Sequence, residues 1–267
     1  AGFLRPLNEG ANLVSFYTLP VDQSVSVMLD QIDDYVTEVI GPSSAATLYE
    51  GEWIGNLEAF DESKGYYLKS FSETTGALSV SGFRTNKNQV YNLDDAANLI
   101  SYPFSSTYLL EDIIPEEFNQ YIYGVIGEGQ AAILNPETGE WVGSLESLRG
   151  TYGYWIISYV PFEFNYSPLD VSARVQNYVE VENYPDGFEW INSSTSAYYF
   201  VEDLIIEDYT PTQEDWLIAY YDGSVVGARP WMGSYTDVPV MGQDMTFEQS
   251  MFYIEDGMVP EFKLLSG

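Results

Sequence analysis

The feature that most restricts how this chain can fold is a stretch that occurs twice. Asn12-Leu13-Val14-Ser15-Phe16-Tyr17 returns 86 residues later as Asn98-Leu99-Ile100-Ser101-Tyr102. Val39-Ile40-Gly41 is matched by Val125-Ile126-Gly127, and Ala45-Ala46 by Ala131-Ala132, at the same offset. After a two-residue insertion, Trp53-Ile54-Gly55-Asn56-Leu57 aligns with Trp141-Val142-Gly143-Ser144-Leu145. Both copies close on Gly-Tyr-aromatic, Gly65-Tyr66-Tyr67 and Gly153-Tyr154-Trp155, followed by Ser70 and Ser158. Matches this numerous, in order and with one small gap, predict two homologous modules, residues 1–82 and 83–165.

Each module reads as short strands with one helix packed on them. Leu13 to Tyr17 is an apolar run of strand type, and Val25, Met28, Leu29 and Ile32 fall at helical spacing behind Ser24, a good N-cap. The second copy offers Leu109, Leu110, Ile113 and Ile114, cut off by Pro115. Strands are expected over Tyr35–Ile40, Thr47–Tyr49 and Tyr66–Lys69, with a Trp-led strand between the last two. Leu145–Leu148 reads as a second helical piece.

From about Asn165 the pattern changes to strands separated by Asp-Gly, Gly and Pro. Expected strands are Asp170–Val181, Ala197–Val201, Asp203–Glu207, Leu217–Tyr221, Val225–Ala228, Met251–Ile254 and Glu261–Leu265. Tyr220-Tyr221-Asp222-Gly223-Ser224-Val225 reads as a hairpin. Residues 166–267 are thus predicted to form an antiparallel β-sandwich, and the fold class is mainly β: two small α+β, β-rich modules followed by that sandwich.

Charge and composition exclude several functions. Nine Lys+Arg against 41 Asp+Glu give a net charge of −32, which repels phosphate backbones and anionic lipid. Nucleic acid is therefore not expected as a partner, and no apolar run approaches the ~20 residues that span a bilayer. The absence of Cys and His removes disulfides, Cys/His zinc sites, His-based triads and thiol nucleophiles. The basic residues, such as Arg84, Lys87 and Arg149, form no patch, and Gly127-Glu128-Gly129 lacks the continuation a phosphate cradle needs. Such acidity keeps a protein hydrated in salty surroundings and points to a marine or saline setting. The opening Ala1-Gly2-Phe3-Leu4 reads as a mature form after processing, or as a renumbered fragment.

The Asn-Leu-(Ile/Val)-Ser opening, the Trp-x-Gly-x-Leu middle and the Gly-Tyr-Trp close resemble a repeat of large secreted, cell-surface and virus-associated proteins, many of them marine. The run Asp215-Trp216-Leu217-Ile218-Ala219-Tyr220-Tyr221-Asp222-Gly223, continuing through Val226-Gly227-Ala228-Arg229 and Trp231 to Val240-Met241-Gly242, is similar to a sandwich module found at the end of such proteins. Many of those carry a Cys where this chain has Val225, so a cross-link at that point is not carried over. The resemblance implies an accessory module of unassigned role.

The repeated aromatics Trp53, Trp141, Tyr67 and Trp155 could stack on sugars, but recurrence at equivalent positions favours core packing. Trp231, Trp216 and Tyr221 are the candidate ligand-binding residues, with Trp231, in a Pro/Gly-rich stretch, expected to be the most exposed. Adjacent acids such as Asp33-Asp34 and Glu116-Glu117 point to opposite faces if on strands, and acids this abundant pair by chance, so a glycosidase pair is not expected. Asp222, Asp237 and Asp244 lie near Gly in loops and are the candidate ligands of a structural calcium ion, although no spaced calcium loop is present. The sequence therefore predicts a non-enzymatic structural or interaction protein on the outside of a virion or cell. It would engage other protein subunits, by self-assembly or on a capsid or surface scaffold. A carbohydrate-binding adhesion module that takes glycans is the alternative, and a carboxylate-only glycan-cleaving enzyme is the third class.

Overall fold

The computed structural model describes residues 1–71, 76–166 and 184–267. Antiparallel sheets dominate it. The first part carries β1 (Gly2–Leu7), β2 (Gly10–Val14), β3 (Thr18–Leu19), helix α1 (Val25–Leu29), β4 (Val36–Gly41), β5 (Ser44–Tyr49), β6 (Glu52–Gly55), β7 (Tyr66–Ser70), β8 (Gly76–Ser81) and β9 (Phe83–Arg84). The second carries β10 (Tyr91–Leu93), β11 (Ala96–Ile100), β12 (Tyr108–Leu109), helix α2 (Leu110–Ile113), β13 (Ile122–Ile126), β14 (Ala131–Leu134), β15 (Trp141–Gly143), β16 (Ser147–Leu148), β17 (Tyr154–Ser158) and β18 (Phe162–Phe164).

Each part is built on a five-stranded sheet, ordered β2-β7-β4-β5-β6 in the first and β11-β17-β13-β14-β15 in the second. The order is the same: first strand, last strand, then the middle three in sequence. Even the ladder irregularity recurs, between Val36 and Glu38 in one sheet and between Ile122 and Gly124 in the other. β2 is buried along its whole length because its faces meet two layers. Val14 joins the core of Leu29, Ile32, Val39 and Leu68, while Ala11 and Leu13 pack with Tyr67 and Leu99.

Helix α1 is only five residues long, well short of the ~12–15 that stand alone in water. It is held by burying Val25, Met28 and Leu29, each contributing roughly 1.5–3 kcal/mol. Ser24 precedes it as expected, but its side chain makes no cap bond; its backbone carbonyl instead accepts the N–H groups of Val27 and Met28.

A side-chain amide inside each first strand, buried at Asn12 and half-buried at Asn98, fixes the entry to the sheet. Asn12 Nδ2 donates to the carbonyls of Asn8, Gly10 and Leu68, and Asn8 N–H returns to Asn12 Oδ1 at 2.7 Å. Asn98 Nδ2 donates to the carbonyls of Asp94, Ala96 and Ile156, and Asp94 N–H returns to Asn98 Oδ1 at 2.9 Å. Likewise Tyr66 Oη accepts Asp61 N–H and Tyr154 Oη accepts Arg149 N–H, both at 2.7 Å.

The two sheets bind each other reciprocally. Ser15 N–H donates to Thr151 O at 2.9 Å, and Ser101 N–H to Ser63 O at 3.1 Å. Gly153 N–H donates to Leu13 O at 3.3 Å, and Gly65 N–H to Leu99 O at 3.5 Å. Each part thus lays the turn before its last strand on the other's first strand, the contact pattern of a two-fold dimer within one chain. Between them, Trp155 Nε1 donates to Tyr67 Oη at 3.0 Å.

The last part has a three-stranded sheet, order β21-β20-β23, and a pair, β19-β22. These strands are β19 (Ser196–Val201), β20 (Trp216–Tyr221), β21 (Ser224–Pro230), β22 (Thr236–Met241) and β23 (Glu261–Leu265). Their shared core holds Leu217, Ala219, Val226, Trp231, Val238 and Val240. Asp222 (φ 47°) and Gly223 (φ 83°) make the expected β20–β21 turn, whose left-handed backbone suits the twist of the hairpin.

Some expectations are corrected. Leu145–Leu148 is not helical: Ser147–Leu148 is strand β16, paired with β12. Asp203–Glu207 forms no strand; Ile206 makes an isolated bridge to Tyr209 across a tight turn. Met251–Ile254 follows a 3-10 turn (Glu248–Ser250), and only Ile254 bridges to Gly242. In both segments apolar residues lie in turns, where alternation has no ladder to serve. The expected strand 170–181 lies outside the described residues.

Candidate functional site

The chemistry of this molecule is concentrated where the last part sits on the paired sheets. Three polar seats hold it there. In the first, Lys69 Nζ on β7 lies 2.6 Å from Glu38 Oε2 on β4 and 2.6 Å from Asp244 Oδ2 of the last part. The Lys69 side chain is 2% exposed. The Thr246 hydroxyl lies 2.6 Å from Glu38 Oε2 and 2.9 Å from Asp244 Oδ1, and Ser194 Oγ donates to Asp244. Burial pushes the Asp244 carboxyl up, but Lys69, Ser194 and the Thr246 N–H together outweigh it and hold the group below the usual carboxylate range.

In the second seat, Asp237 on β22 is wholly buried and reaches across to the second sheet. It accepts Ala131 N–H at 3.1 Å and Ser144 N–H at 2.7 Å, and pairs with Arg229 at 3.2 Å. Burial raises its carboxyl above the ordinary range, against the pull of Arg229 and the Ser144 and Ala131 donors. In the first sheet the matching Ala45 N–H is answered from within, by Asn56 Oδ1 at 2.9 Å. Ser144 stands where that sheet has Asn56, so Asp237 supplies the missing acceptor.

The third seat lies along β2, where the last part supplies Asn192 and the second part supplies Glu128. Ala11 N–H donates to Asn192 O at 2.8 Å, and Leu13 N–H donates to Glu128 Oε2 at 2.6 Å. The same carboxylate pairs with Arg5 at 2.9 Å, and that guanidinium lies 3.5 Å from the centre of the Tyr152 ring.

The sequence candidates are dispersed by the fold. Trp231 is 9% exposed and belongs to the core of the last part, which corrects its expected exposure. Its N–H is drawn inward to Asp215 O at 2.8 Å, so the loop turns the ring in instead of out. Trp216 is half-buried, 5.9 Å from the Tyr184 ring, and Tyr221 packs partly against the core. Asp222 is exposed at the hairpin tip, while Asp237 and Asp244 are engaged by Arg229 and Lys69 respectively. Among the described residues, no three Asp or Glu side chains come together as a metal-holding group. Trp53 and Trp141 pack against the cores of the first and second parts.

A scan of protein-family models, a search of curated proteins and a search of solved structures each find no match. Function must therefore be argued from geometry. Among the described residues no helix is long and apolar enough to cross a membrane.

Two of the clefts among the described residues bear on the argument. One, of about 250 Å³, is lined by Leu109, Trp141, Glu111 and Glu146 among others. Both acids are exposed. The other, of about 570 Å³, runs between the two sheets beside β11 and is lined by Pro42, Ser43, Ser63, Lys64, Ala97, Leu99 and Trp155 among others. Sequence reasoning named neither this cleft nor the Lys69, Glu128 and Arg5 ties. A signal existed for Lys69: a charge inside the strand Tyr66–Ser70, at the position where the second sheet's last strand has Ile157.

Proposed function

We propose that this chain is a non-enzymatic interaction protein exposed on the outside of a particle or cell. In this reading two copies of one ancestral unit form a rigid internal dimer, and a terminal β-sandwich locks onto one face of it. The observation that carries the reading is how the buried charges are used. Lys69, Arg5, Asp237, Asp244 and Glu128 all join parts of the chain to one another, as does Arg229, which donates to the Gly129 carbonyl. A catalytic group must instead face a cleft that substrate can enter. The strongly acidic exterior keeps such a scaffold dispersed until it meets its specific neighbour. Other protein subunits are the partners that fit. Glycan adhesion has less support, because of the three aromatic residues expected to serve it Trp231 is in the core and Trp216 and Tyr221 are half-buried.

Immunogold labelling of the source's particles and intact cells tests this. Label on outer surfaces supports the proposal. Label confined to the cell interior, or hydrolysis of a glycan or peptide abolished by one Asp or Glu substitution, overturns it.

A further inference from the structure

The internal two-fold relation places two equivalent strand edges in the molecule, and among the described residues only one of them has both outward strand N–H groups bonded. On β2, Ala11 N–H and Leu13 N–H point away from β7 and are taken by Asn192 O and the Glu128 carboxylate. The equivalents 86 residues on are Ala97 and Leu99 of β11. Leu99 O accepts Gly65 N–H, so the outer side of β11 is the side that carries Leu99 N–H and, two residues away, Ala97 N–H. Among the described residues nothing bonds either donor.

The reason lies in the residues that differ. Pro42 stands where the second part has Glu128, so no carboxylate reaches Leu99 N–H. Among the described residues the last part bonds only the β2 side, where Gly10 and Ala11 are buried, whereas Ala96 and Ala97 are exposed. Lys64, also exposed and lining the cleft, stands at the position of Tyr152, over which Arg5 holds Glu128.

We propose that the cleft beside β11 binds an extended acidic peptide segment of a partner protein. A backbone carbonyl of that segment bonds Ala97 N–H. An Asp or Glu carboxylate bonds Leu99 N–H beside Lys64, with the Trp155 ring lining the cleft. The molecule displays this ligand chemistry on β2, where a carbonyl and a carboxylate occupy the same two donors. Small Ala side chains let a backbone approach, and an open strand edge is a template for pairing. The overall charge of −32 and the exposed Asp94 in the cleft lining oppose an acidic ligand; at 0.15 M salt the long-range field is screened beyond about 8 Å, and Lys64 is the cation in the lining that a ligand carboxylate meets. Binding is therefore expected to strengthen from low to physiological salt.

The proposal rests on the reading of the chain as an interaction protein and names its ligand class. The test is a titration of ¹⁵N-labelled full chain with acetyl-Val-Glu-Val-Glu-Val-amide, its Gln analogue, and acetate. The Glu peptide is expected to shift the Ala97 and Leu99 amide resonances. Lys64→Glu is expected to weaken it by about tenfold or more, and Ala97→Pro, which removes an outward N–H and no ladder bond, to abolish it. An unchanged spectrum elsewhere certifies that each variant folds. Absence of binding, equal binding of the Gln peptide, binding of acetate as tight as the peptide, or shifts confined to other amides overturns the proposal. Such a failure leaves surface labelling untouched, whereas interior labelling with intact peptide binding would remove only the placement on a surface.

Discussion

Lys69→Met gives the sharpest energetic test of how the last part is attached. The substitution keeps an unbranched side chain of similar length and removes the one cation between Glu38 and Asp244, each 2.6 Å from its Nζ. Both carboxylates are then left facing each other at a site where their residues are only 8% exposed. Breaking a buried pair by removing one partner costs about 3–5 kcal/mol. For a chain of this size that corresponds to a fall in Tm of about 6–20 °C, at roughly 2–4 °C per kcal/mol. Neutralising the acids as well, in Lys69→Met/Glu38→Gln/Asp244→Asn, is expected to recover most of the loss, since replacing a whole buried ionic group is often close to neutral. Differential scanning calorimetry at neutral pH reads both variants. A single-variant loss under about 1 kcal/mol, or a triple variant no better than the single, would refute the claim that this seat is a closed charge group.

Three further outcomes are expected. Lowering the pH should weaken the same seat: Asp244 is held below its unfolded value, so its contribution is complete above the ordinary carboxylate range and is lost as pH falls through the lower folded value. Urea midpoints of the wild type and Asp244→Asn should therefore converge below about pH 4; a gap that stays constant there contradicts the assignment. Asn12→Ala should cost more than Asn98→Ala, by about 1–2 kcal/mol, because Asn12 is buried under the last part whereas Asn98 is half-exposed; equal losses in chemical denaturation would argue against that covering. Gly227→Ala should destabilise by about 3 kcal/mol or more, since a Cβ there would lie 1.7 Å from the Pro239 carbonyl oxygen of β22; an unchanged melting curve would show that β21 and β22 do not approach so closely.

How much of this was legible in the sequence follows from which interactions are local. The apolar runs at Leu13, Val39, Tyr66, Leu217 and Glu261–Leu265 mark strands because each forms its own ladder segment, and the Asp222-Gly223 turn is written in two residues. Strands β1 and β8 are not among the expected strands: Gly2–Leu7 and Gly76–Ser81 pair across about 70 residues, and only Leu78–Ser81 carries a short apolar/polar alternation of its own. Trp231 shows the limit of local composition: a Pro/Gly-rich neighbourhood suggested exposure, but a bond to the distant Asp215 carbonyl turns the segment inward. Asp237 and Asp244 were marked as clustered oxygens, yet their partners lie on other parts of the chain, at Ser144 and at Lys69. The cleft beside β11 is visible only once both sheets are in place, because it is defined by what Pro42 lacks relative to Glu128.

Amide hydrogen exchange resolved at four residues bears most directly on the central idea, that one of two equivalent strand edges is covered within the chain while the other is left for a partner. Ala11 and Leu13, bonded to Asn192 and Glu128, are predicted to exchange slowly, and Ala97 and Leu99 to exchange fast in the chain alone and slow down when the acidic peptide is added. Equal protection of all four amides without any ligand would contradict the account.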